Sequence, residues 1–71
     1  MDVVRLLGLN VRDLRRQQRL SQEELAHRAD MDRSYISDLE RGVRNPSVKA
    51  LGRIAEALGV SPDALLRPRD Y

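Results

Sequence analysis

At 71 residues, with a net charge of +2 and a pI near 9.7, the chain has room for one small domain around one core. It contains no Cys, Trp or Phe, which excludes disulfide bracing and Cys-ligated metal. No apolar run approaches the ~18 residues of a membrane span, and MDVVRLLGLN lacks a signal-peptide layout, so the cytoplasm is the expected compartment.

The positive charge is unevenly spread. Residues 1–29 carry six Arg against four acids, residues 30–46 three Arg against four acids, and residues 47–71 four basic residues against three acids. The middle segment is therefore weakly acidic, and attraction to a polyanion has to come from particular arginines rather than from a general field. Of thirteen basic residues only Lys49 is Lys, a bias that a GC-rich genome explains as well as a ligand does.

In chain order, the spacing of Val4, Leu7, Val11 and Leu14 predicts a helix over about 3–18 with one inward stripe. Gly8 is its weak point, and Asn10 is an alternative cap for a shorter helix. Leu6 and Leu9 lie off the stripe, either facing a partner chain or widening the core face. Ser21 with Glu24 forms a Ser-x-x-Glu capping box, which starts a second helix over about 22–29. Asp30-Met31-Asp32 breaks the pattern, and Asp32 can cap a third helix over about 33–41 that Gly42 stops. Two helices this short need each other, and Ala26 is small enough for a close crossing. After the loop Val43-Arg44-Asn45-Pro46, Ser47 caps a helix over about 48–58 with Val48, Leu51, Ile54, Ala55 and Leu58 inward. Ser61-Pro62 opens a last short helix over about 62–66, which Pro68 stops. The expected fold is all-α, five short helices around one core, as a single domain over 1–71.

Catalysis lacks parts. His27 is the only histidine and sits on the exposed side of its helix. Asp30 and Asp32 are explained by a turn and a cap. No Gly-rich phosphate loop is present, so neither enzyme activity nor a cofactor is expected. The third helix is more informative. Ile36, Leu39 and Glu40 share one face, while Ser34, Ser37, Asp38 and Arg41 share the other, with Arg33 at the leading end and Tyr35 on the flank. An ordinary solvated helix carries Glu and Lys by propensity. Hydroxyls, one acid and arginine suit a groove lined with hydrogen-bonding edges better.

On these residues the chain resembles the phage Cro and lambda-repressor-like helix-turn-helix DNA-binding family. Gln22, Ala26, Ile36, Leu39, Glu40 and Gly42 match its pattern, and the resemblance spans roughly residues 4 to 66, carried by RSYISDLERGVRNPS and LGRIAEALGVSPDALL. The narrower run YIS…ERG…RNPS resembles the controller proteins of restriction–modification systems, although antitoxins and small phage repressors share much of it. One departure is Asp30, at a turn position that is usually Gly in the family because the chain goes left-handed there; Asp tolerates that conformation better than most residues.

The resemblance implies a transcriptional regulator of double-stranded DNA that acts as a homodimer on an inverted repeat, with RNA polymerase or a toxin as further partners. The alternative is an antitoxin-type interaction module that also binds its own promoter. Arg33, Ser34, Ser37 and Asp38 are the expected base readers, and Gln22, Tyr35, Arg41, Arg44, Asn45 and Ser47 the expected backbone or flanking contacts. The family's ion pair falls on Arg15 and Glu40, and an acid on the Ile36/Leu39 face needs such a partner. Val60, Leu65 and Leu66 form the expected dimer patch, because so short a last helix cannot bury all three. RNA binding ranks below these readings, since Tyr35 is the one side chain placed to stack a base.

Overall fold

Asp2, the residue before the first helix, caps it: its Oδ1 accepts from the N–H groups of Val4 and Arg5 at 3.1 and 3.2 Å. The computed structural model describes residues 2–69. Four α-helices follow one another, α1 (Val3–Gln17), α2 (Gln22–Ala29), α3 (Arg33–Glu40) and α4 (Val48–Leu58), and a 3-10 turn, Pro62–Leu66, closes the chain against α1 and α4. Among the described residues there is no strand.

Boundaries fall within a residue of those expected from the caps. The fifth element is the exception, because five residues between two prolines form a 3-10 segment instead of an α-helix. α1 is one uninterrupted helix. Asn10 does not cap it but lies buried in its interior, donating to the carbonyls of Leu65 at 2.9 Å and Arg67 at 3.0 Å. The side chain thus clamps the C-terminal segment to α1. Arg69 reinforces the clamp by bonding Asn10 Oδ1 at 2.9 Å and pairing with Asp13.

The core gathers Leu7 and Val11 from α1, Leu25, Ala26 and Ala29 from α2, Ile36 and Leu39 from α3, Ile54, Ala55 and Leu58 from α4, and Leu65. Leu6 is buried and widens the core face of α1, while Leu9 is half-buried. Val48 corrects the expectation for α4. It continues the apolar stripe in sequence but is 85 % exposed, because the first turn of α4 projects beyond the end of the core. Asp32 also differs from its expected role. It occupies the N-cap position of α3, but its carboxylate makes no capping bond, and only its carbonyl enters the helix by accepting from Tyr35 and Ile36.

Candidate nucleic-acid interface

The turn between α2 and α3 fixes the angle at which α3 is presented. The capping box at the start of α2 is complete: Ser21 Oγ accepts from the Glu24 N–H, and Glu24 Oε1 accepts from the Ser21 N–H, each at 3.0 Å. These two Ser21 bonds hold the Glu24 carboxyl below the usual carboxylate range. At the other end Asp30 is left-handed, φ 56°, as the turn requires, and the Met31 N–H returns to the Ala26 carbonyl at 2.8 Å. A residue from outside the motif completes the turn. Arg53 on α4 donates through Nε to the Ala29 carbonyl at 3.1 Å and through Nη2 to the Asp30 carbonyl.

α3 is anchored to α1 at its C-terminal end. Gly8 makes the approach possible: a Cβ there would lie inside the contact distance of the Leu39 carbonyl oxygen and 3.0 Å from that of Glu40. The expected weak point of α1 is therefore its closest contact. Two turns beyond, Arg15 grips Glu40 with two prongs, Nε to Oε2 at 2.6 Å and Nη2 to Oε1 at 3.0 Å, and its Nη1 donates to the Leu20 carbonyl at 2.8 Å. The hydrogen bond to Glu40 holds the Arg15 guanidinium above its ordinary pKa. Gln22, expected at the phosphates, donates from Nε2 to Glu40 Oε1 at 3.1 Å, so its amide is oriented by the same carboxylate.

The remaining expected residues lie along the outer side of α3 and the loop after it. Arg33 and Ser34 are exposed at the leading end, and Ser37 and Asp38 are half-buried one turn later. Asp38 Oδ1 accepts from Arg41 Nη2 at 2.7 Å, and its Oδ2 stands 3.8 Å from Arg44 Nη2. The Arg44 guanidinium also lies over the Tyr35 ring, 4.5 Å from its centroid, while Tyr35 packs against the core edge. Tyr35, Asp38, Arg41 and Arg44 thus form one connected group. Asn45 and Ser47 are exposed beside it, with Ser47 Oγ capping α4 through the Ala50 N–H at 3.0 Å.

A helix-turn-helix family model matches residues 11–65, which contain this whole arrangement. The chain belongs to the helix-turn-helix family. It is 49 % identical over 62 residues to control protein C.BamHI of Bacillus amyloliquefaciens, covering 86 % of this chain and 76 % of that protein. Its fold superposes on the restriction-modification controller protein C.AhdI from Aeromonas hydrophila with a TM-score of 0.85 at 40 % identity, covering 87 % of this chain and 94 % of the other. C.Esp1396I bound to a 19 base pair DNA duplex gives a TM-score of 0.81 at 32 % identity, covering 89 % and 84 %.

For this helix-turn-helix protein the expected dimer patch is not one surface. Leu65 is 0 % exposed, turned into the core by the tighter 3-10 winding, and is unavailable to a partner. Val60 is half-buried against the core and borders a polar depression with Asn10 and Asp13. Leu66, 39 % exposed, lies on a different, apolar groove with Val3, Pro46, Val48 and Leu51. Val3 and Val48 were not expected there. The signal available was that each is a β-branched apolar residue in the first turn of its helix, where a core often ends.

Proposed function

We propose that the chain is a sequence-specific transcriptional regulator that binds double-stranded DNA, with two copies acting on an inverted repeat, of the kind that controls a restriction–modification operon. The observation that carries this reading is the outer face of α3. Arg33 and Ser34 stand free at its leading end, and the Tyr35–Asp38–Arg41–Arg44 group stands at its trailing end. In a helix-turn-helix the leading part of the second helix meets base edges first. Arg33 there suits guanine, whose O6 and N7 accept a bidentate guanidinium. Ser37 and Asp38 follow, and Asp38 Oδ2 can accept from cytosine N4. Arg44, Asn45 and Ser47 suit the phosphates on one side of the groove, and Gln22 those on the other.

The controller proteins among the relatives, one of them on a DNA duplex, support the same reading. The groove of Val3, Val48 and Leu66 is the face we assign to the second copy, since it is apolar and starts where the loop after α3 ends. Selection from a random duplex library tests the function. The wild type should enrich a twofold-symmetric site, and Arg33→Ala should bind it about 5–150-fold more weakly with preference relaxed at one base pair per half-site. Failure to enrich any sequence rejects the reading. Equal weakening on cognate and random DNA would make Arg33 a phosphate contact.

A further inference from the structure

The arginines differ in how they are partnered. Arg15, Arg41, Arg44, Arg53 and Arg69 each sit in an ion pair. Among the described residues, Arg5, Arg12, Arg16 and Arg19 have no acidic partner, and they follow one another along α1 and its exit. Positions 5, 12 and 16 fall within about 40° of one another at 100° per residue, and they rise about 16 Å along the helix. Arg5 and Arg16 are exposed and Arg12 is half-buried on this side. The acids nearest in sequence are engaged elsewhere, Asp2 in capping α1 and Asp13 by Arg69.

Both ends of this stripe abut the interface already described. At one end Gly42, which closes α3, lies so close that a Cβ on it would be 3.2 Å from the Arg5 Cα. The loop carrying Arg44 begins there. At the other end Arg19, left-handed at φ 58°, leads directly through Leu20 to Ser21 and the start of α2. Cations at this density, with the intervening acid Asp13 drawn to Arg69, repel one another unless a polyanion lies along them. The segment that carries α3 is itself weakly acidic, so the reading helix supplies little of the general attraction that holds a protein to a duplex.

We propose that Arg5, Arg12, Arg16 and Arg19 form a second phosphate track, which engages the duplex flanking the half-site read by α3. This inference rests on the DNA-binding reading and adds base pairs that α3 does not touch. The track positions without reading, because a guanidinium on a phosphate is indifferent to sequence.

The test uses the selected site in two lengths, one trimmed to the enriched base pairs and one extended by about ten base pairs, one helical turn, on each side. Affinity is measured by fluorescence anisotropy over a range of salt, for the wild type and for Arg5→Gln/Arg12→Gln/Arg16→Gln. The wild type should bind the longer duplex more tightly and with a steeper salt dependence. The triple variant should lose that gain, with its log–log salt slope on the long duplex reduced by roughly 2–3 units for each bound copy, at about 0.9 per phosphate contact. Its ratio of cognate to base-changed affinity should stay at the wild-type value. Arg12→Gln/Arg16→Gln leaves the Arg5–Gly42 approach intact and should lose a proportionate part, so misfolding of the triple variant does not obscure the result. Equal slopes for folded variant and wild type on the long duplex overturn the track and leave the function standing. A wild type that binds no duplex overturns both.

Discussion

Arg15 and Glu40, one from the first helix and one from the last residue of the third, meet in a two-pronged ion pair whose side chains are only 11 % and 4 % exposed. The pair links the far end of the reading helix to the frame. It is also enclosed, with Gln22 on the carboxylate and the Leu20 carbonyl on the guanidinium. Glu40→Ala should destabilise by about 3–5 kcal/mol, because it leaves a buried cation without its counter-charge. Arg15→Ala should cost a similar amount, and the double variant clearly less than the two together. Urea denaturation of all four proteins measures the cycle, and additive losses would disprove the coupling.

Gly8→Ala offers a sharper conflict between local and tertiary preference. Alanine is favoured over glycine inside a helix by about 1 kcal/mol. Here the added methyl meets the backbone carbonyls of Leu39 and Glu40, which cannot swing aside as a flexible side chain would. Overpacking of about 1–3 kcal/mol should outweigh the helix gain. The variant should melt below the wild type and bind its site less tightly, since α3 must shift. A raised melting temperature would show that α1 and α3 are not in this contact.

Leu66 gives the oligomerisation test. Leu66→Glu places a charge on the rim of the apolar groove without entering the core, since its neighbour Leu65 is the residue that fills the interior. The expected product is a folded monomer with wild-type melting at low concentration and steeply reduced affinity for a full inverted repeat. Analytical ultracentrifugation at tens of micromolar decides it. A variant that still sediments as a dimer places the partner on another face.

Acid should weaken the start of α2. The Ser21 bonds lower the Glu24 pKa in the folded state, so the carboxylate contributes stability above its unfolded value, and that contribution disappears as pH falls through the folded value. Wild type should therefore exceed Glu24→Gln in stability at neutral pH, with the difference closing as pH falls through the lowered folded-state value. Denaturation curves at several pH values follow the gap. A gap independent of pH would mean that charge plays no part in the cap.

Much of this architecture was legible because it rests on local rules. The capping box at Ser21 and the inward pairing of Ile36 with Leu39 each follow from a few adjacent residues, while the left-handed turn at Asp30 came from the family resemblance. That Glu40 needs a partner was legible for a different reason, since an acid on an apolar face demands one, while the choice of Arg15 came from the family resemblance. Residues acting at a distance were not legible in the same way. Nothing near Asn10 in sequence indicates that its carboxamide holds carbonyls more than fifty positions away. Leu65 and Leu66 are adjacent and chemically identical, and only the winding of the last turn decides which of them is buried. On the reading face, Asp38 looked like an independent acceptor, whereas its first engagement is with two neighbouring arginines.

The contact from Arg53 to the carbonyls of Ala29 and Asp30 bears on protein engineering. The bihelical unit over residues 21–42 is not a portable cassette, because part of its hinge is fastened by a guanidinium contributed from a later helix. Transplanted into another scaffold, it would leave those two carbonyls in need of a new donor, and the angle between its helices would be free to drift. A chimera that carries Arg53 in its original spatial relation should keep the recognition geometry, whereas one built from the motif alone should present the same side chains at the wrong pitch.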